Sequence, residues 1–161
     1  MKTLLIVRHA KSSRDDPKLS DHDRPLNERG IKDAKRLGKT LTEEGFIPDL
    51  ILASSAKRAQ ETAALLIKFS EYHGEFKLTK DLYLTNVDSH IEVVKKNAHD
   101  FSVIMIVGHN PTLEEWVNLL ADAHEQLTTA NLAKIELPIE QWNQLTANTR
   151  GRLVKLWQPK E

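Results

Sequence analysis

The chain has no cysteine. Disulfides, thiolate metal sites and a cysteine nucleophile are thereby excluded, and a reducing cytoplasm is the simplest home. It also lacks an excess of either charge. Its 23 basic residues balance 23 acidic ones, so no overall field draws it to nucleic acid or to an anionic membrane, and any phosphate site must be a local concentration of cations. Long apolar runs are missing too: the one that follows Met1-Lys2 is cut at Arg8, too short for a signal-peptide core or a membrane span. No repeat, heptad or low-complexity segment appears along the 161 residues. The expectation is a single domain over residues 1–161 with a sizeable core.

What is present is a series of short apolar runs that end in cations. Thr3 to Val7 reads as a strand buried on both faces, as in a parallel sheet covered by helices, and Arg8 and His9 end it. In open α/β sheets that edge is where ligands bind. Residues 11–26 are polar and aperiodic, a loop long enough to be a lid. Asn27 caps a helix with Ile31, Ala34, Leu37 and Leu41 on its apolar face and Gly45 as its stop. Leu50 to Ala53 is a second buried strand, with Ser54-Ser55 capping a helix that carries Arg58 in its first turn. A cation there opposes the helix dipole, a conflict that a bound anion removes.

Lys77 to Thr85 reads as mixed, with a short strand near Leu82, and Asp88 or Ser89 caps a helix carrying Ile91, Val94 and Ala98 inward. Ser102 to Val107 is the clearest strand and runs into Gly108-His109-Asn110-Pro111. Gly108 permits a sharp bend, Asn110 suits an N-cap and Pro111 the first helical position, so His109 is presented at a third strand end. Leu132–Leu137 and Arg152–Trp157 read as further strands, with a short helical stretch at Glu140–Leu145 and a turn at Asn148–Gly151, and Trp142 and Trp157 as packing residues.

Two arginines and two histidines converging on one crevice make a site for a small, doubly charged anion, phosphoryl being the obvious candidate. Guanidinium groups at the strand ends would repel a divalent cation by on the order of several kcal/mol, so the expectation is no metal and no cofactor. Metal-free phosphoryl transfer depends on positioning and on neutralising charge, which arginines supply. The attacking group could be Ser12, Ser54, an activated water or an imidazole. Neutral histidine is a competent nucleophile, and His9 is the choice, with His109 facing it as electrostatic partner or proton carrier.

Four segments carry a resemblance: Val7-Arg8-His9-Ala10-Lys11-Ser12, the Arg24 to Gly30 turn, Ser54 to Thr62 around Arg58, and Val107 to Pro111 around His109. Together they resemble the histidine phosphatase (phosphoglycerate-mutase-like) superfamily, and the short chain is most similar to its SixA-type phosphohistidine phosphatases. The resemblance implies a three-layer α/β/α sandwich around a mostly parallel sheet. It also implies a covalent phosphohistidine on His9 and a phosphate pocket of Arg8, His9, Arg58 and His109, with Arg24 nearby as a further contact.

Two departures bear on substrate. The family's Arg-His-Gly is Arg-His-Ala here, and the middle of the chain, Asp81 to Asp88, offers no glutamate as general acid, leaving Asp81 and Asp88 as weak stand-ins. An alkoxide leaving group needs a delivered proton, whereas imidazole, with an ordinary pKa near ~6.5, leaves easily once protonated. That favours phosphohistidine over sugar phosphates, and the expected partner is a phosphorylated protein or a small phosphorylated substrate. A broader phosphomonoesterase or mutase, and a phosphate-recognising module without turnover, are the alternatives. No partner among nucleic acids or membranes is expected, and the sequence carries no signal of oligomeric state.

Overall fold

The computed structural model describes residues 1–159. Its strands are β1 (Lys2–Arg8), β2 (Leu50–Ser54), β3 (Glu75–Thr79), β4 (Val103–Gly108), β5 (Leu132–Leu137) and β6 (Arg152–Trp157). They form one six-stranded sheet in the order β3-β2-β4-β1-β5-β6. The pairs β3/β2, β2/β4 and β4/β1 are parallel, while β5 runs antiparallel to both β1 and β6. The helices are α1 (Glu28–Glu44), α2 (Lys57–Ser70), α3 (Val87–Asn97) and α4 (Thr112–Ala121).

Alternation along β1 explains the three layers. Leu5 and Val7 point to one face and join Leu37 and Leu41 of α1 and Ala59, Ala63 and Leu66 of α2. Leu4 and Ile6 point to the other and join Ile91 and Val94 of α3 and Leu113, Trp116 and Leu120 of α4. Because both faces are covered, the central strands can be apolar without a break, and each leucine so buried contributes about 1.5–3 kcal/mol relative to exposure. The edge strand β3 is short and largely exposed, with Glu75, Lys77 and Thr79 alternating with exposed Phe76 and Leu78, and its shortness and interleaved charges discourage edge-to-edge pairing.

Several local expectations are corrected. Ile31 is exposed, and Gly30, Asp33, Ala34, Leu37, Gly38 and Leu41 make the buried stripe of α1. The strand expected near Leu82 is β3, a few residues earlier, and Leu82 lies in a 3-10 turn at Lys80–Leu82 that buries it. Asn86, rather than Asp88 or Ser89, caps α3, its side chain accepting from the Ser89 N–H. Ala56 occupies the N-cap position of α2, so Ser54 and Ser55 are free for other partners. Trp142 is buried, its indole N–H donating to the Phe101 carbonyl, and Trp157 packs half-buried against the α1/α2 side.

Candidate active site

The sheet register brings the site together. Arg8 pairs with Gly108 across β1 and β4, and Ala53 of β2 pairs with Val107 on the other side of β4. His9, Ser54 and His109 therefore emerge side by side at the carboxyl end of three adjacent parallel strands. The rings of His9 and His109 lie with centroids 5.1 Å apart. Arg8, His9, Arg24, Arg58 and His109 all line one cavity of about 720 Å³, so the four expected site residues and Arg24 converge.

His9 is buried and its tautomer is determined by its neighbours. Nδ1 lies 2.7 Å from the Ala10 carbonyl, which can only accept, so Nδ1 carries the proton. Nε2 then presents a lone pair, and the Arg58 Nε–H donates to it at 3.3 Å. Burial first, then the guanidinium groups of Arg58, Arg8 and Arg24, push the pKa of His9 down to about 4. His109 is lowered to about 3, mainly by burial and then by His9 and Arg58. Its Nε2 lies 2.8 Å from the Ser54 hydroxyl, and its Nδ1 has no hydrogen-bond partner among the described residues. Both imidazoles are neutral at pH 7.

The two arginines are held differently. Arg8 donates through Nη1 to the Leu127 carbonyl at 3.2 Å, which also accepts from Asn110 Nδ2 at 2.7 Å. Arg58 is buried in the first turn of α2, where its helical neighbour Glu61 is not its partner. Glu61 instead accepts from the Leu26 N–H at 2.8 Å. Arg58 donates to the Asp21 carbonyl at 2.7 Å and to the Asp21 carboxylate at 3.0 Å. Arg24 donates to the other oxygen of the same carboxylate at 2.9 Å and also to the Ser12 hydroxyl.

Asp21 lines the same cavity and was not among the residues the sequence singled out. It sits in a 3-10 turn, Asp21–Asp23, within the 11–26 loop, and Tyr83 donates its hydroxyl to the same carboxylate at 2.6 Å. The bonds from Tyr83, Arg58 and Arg24 hold this carboxyl well below the usual range, so it is an anion and not a proton donor. Asp81 and Asp88 line a separate hollow with Lys77 and Glu92. The physical reason is the turn that buries Leu82 and leaves Asp81 facing outward. From that segment the residue that reaches the His9 cavity is Leu84, an aliphatic side chain in the left-handed region at φ 51°.

The loops are stapled around the cradle. Ala10, the departure from Arg-His-Gly, puts its methyl into a small cluster with Leu26, Ala34 and Ala130, and its N–H donates to Thr62 at 3.0 Å. Gly30 allows α1 to abut the His9 loop, since a Cβ there would lie 2.1 Å from the Lys11 carbonyl. Among the described residues, no group of three or more His, Asp or Glu is placed to hold a metal ion, and no helix is long and apolar enough to cross a membrane.

The sequence profile described as histidine phosphatase superfamily (branch 1) matches residues 4–83, a span that holds Arg8, His9 and Arg58 but not His109. An uncharacterised chloroplastic protein of Arabidopsis thaliana is 34% identical over 154 residues, covering 89% of this chain and 70% of the relative. Among solved structures, a proposed phosphohistidine phosphatase SixA from Agrobacterium tumefaciens superposes with a TM-score of 0.83 at 24% identity, covering 98% of each chain. A protein histidine phosphatase SixA complexed with tungstate gives 0.79 at 17% identity, covering 98% of this chain and 97% of that one.

Proposed function

From a chain that belongs to the histidine phosphatase superfamily, we propose a metal-independent phosphatase that hydrolyses phosphohistidine, carried on a protein, through a covalent intermediate on His9. The observation that carries the reading is the state of His9: neutral, protonated on Nδ1, with its Nε2 lone pair held by the 3.3 Å bond from Arg58 Nε, a bond that gives way as phosphorus is attacked. Attack needs that lone pair, and the pre-set tautomer removes the cost of finding it.

Nε2 of His9 attacks phosphorus in line as the bond to the leaving imidazole breaks. Arg8 and Arg58 neutralise the charge on the equatorial oxygens, and His109 lies across from His9 to hydrogen-bond the same group. Water then cleaves the phosphoramidate on His9 and releases phosphate. An arriving dianion opposes the lowering of the His109 pKa, so the two histidines act as a coupled pair.

The substrate class rests on the missing acid. Two carboxyls line the cavity: Asp21 is held ionised by its cationic partners, and Asp15 is exposed on the 11–26 loop, while Leu84 is aliphatic. With no buried carboxyl to deliver a proton, a leaving group that carries its own is favoured over an alkoxide. A phosphomonoesterase or mutase drawing a proton from Asp81 or Asp88 is the weaker reading, because both line the separate hollow. Rates on a phosphohistidine peptide, a phosphoserine peptide and a sugar phosphate, with His9→Ala as blank, test this. Phosphohistidine is expected to turn over at least about a hundredfold faster than either ester; equal rates would refute the assignment.

A further inference from the structure

Asp21 receives more cationic contact than a loop carboxylate needs. Its two oxygens are met by Arg24 at 2.9 Å, Arg58 at 3.0 Å and the Tyr83 hydroxyl at 2.6 Å. Three separate segments thus converge on one carboxylate, and both guanidinium groups also line the His9 cavity. This is the pattern of donors that a bound oxyanion receives.

The arrangement is not the default for these side chains. Glu61, one turn along α2 from Arg58, is the nearest local carboxylate, yet it turns to the Leu26 N–H at 2.8 Å. That bond ties down the far end of the loop that carries Asp21, as does the bond from the Ser13 N–H to the Pro25 carbonyl at 2.8 Å. Arg58 directs Nη1 and Nη2 to Asp21 and Nε to His9. A phosphoryl oxygen that engages Arg58 through its terminal nitrogens must therefore share them with Asp21 or displace it.

We propose that Asp21 is a tethered anion that competes for the guanidinium donors of the phosphoryl site and so sets how weakly the site holds free phosphate. The inference rests on the phosphoryl reading above and adds a determinant of specificity to it. The competition lowers the apparent affinity for any anion by the fraction of molecules whose donors are free. Free phosphate, which brings only its oxygens, is released readily after turnover. A phosphoryl group delivered on a protein brings further contacts outside the cradle, which offset the competition.

The test is calorimetric titration of inorganic phosphate at pH 7.5 into the wild type, Asp21→Asn and Asp21→Glu. Asp21→Asn is expected to bind phosphate about tenfold more tightly, the scale of a hydrogen bond to a charged group at a partly exposed position. Asp21→Glu, which keeps the charge, is expected to stay close to wild type. A gain of affinity cannot come from a damaged fold. Equal or weaker binding by Asp21→Asn, or equal tightening by Asp21→Glu, would overturn the inference while leaving the phosphoryl reading intact. Absence of phosphate binding in all three proteins would overturn both.

Discussion

Two kinds of positioning meet at the cavity. Arg8, His9 and His109 stand at the ends of β1 and β4, where ladder bonds and fully buried neighbours fix the backbone. The 11–26 loop supplies Asp21 and Arg24 through polar side-chain contacts, with Asp21 nearly half exposed at 47%. The first set is rigid because moving it would open the core on both faces of the sheet. The second is held by bonds that an incoming anion can replace one for one. The cradle thus supplies geometry, and the loop supplies an adjustable charge.

Acid separates the two sets most strongly. His9 and His109 have folded pKa values lowered to about 4 and about 3. Their neutral forms are favoured by folding, so that stability is fully present above the unfolded value near ~6.5 and is lost as pH falls toward the folded values. Between pH 7.5 and pH 5 the pair costs about 4 kcal/mol, read as a drop in unfolding free energy from urea titrations. Stability that stays level over that interval would mean the imidazoles are not buried as a pair. For activity the same lowering keeps His9 neutral in mild acid. The acid limb due to this nucleophile therefore falls near pH 4, lower than an ordinary imidazole would give.

Exchanging arginine for lysine sharpens the contrast within the cavity. Arg58→Lys removes the fork that reaches both His9 and Asp21, and kcat on phosphohistidine peptide should fall by about 10²-fold. Arg24→Lys, on the loop, should cost about tenfold or less. Equal losses would erase the distinction between cradle and loop. Gly30→Ala probes the seam between them, because its Cβ would meet the Lys11 carbonyl at 2.1 Å. The backbone must shift, and a loss of about 2 kcal/mol in thermal unfolding is expected; an unchanged melting temperature would show that α1 does not clamp the His9 loop.

The same division explains what could be read before any coordinates. Arg8, His9 and His109 follow apolar runs, and Gly108 to Pro111 spell a strand-to-helix turn, so their meeting at one sheet edge was legible, although Pro111 and not Asn110 takes the N-cap position of α4. Asp21 was not, because it is one of four aspartates in an aperiodic stretch with Asp15, Asp16 and Asp23. Its role depends on Arg58, 37 positions away. Tyr83 was silent for the same reason: its hydroxyl matters only through a partner 62 positions distant. The acid sought at Asp81 and Asp88 lies in a separate hollow, Asp81 because the 3-10 turn that buries Leu82 leaves it facing outward and Asp88 because it stands on the exposed first turn of α3. Ile31 was misplaced because helical spacing alone could not show that Asp33 would be buried in its stead, paired with Arg29 at 3.0 Å.

Rapid quenching with a radiolabelled phosphohistidine peptide tests the central claim most directly. Label stable in base and labile in acid should appear on the wild-type protein during turnover and be absent from His9→Ala. The same label on His9→Ala, or acid-stable label on either protein, would contradict the account.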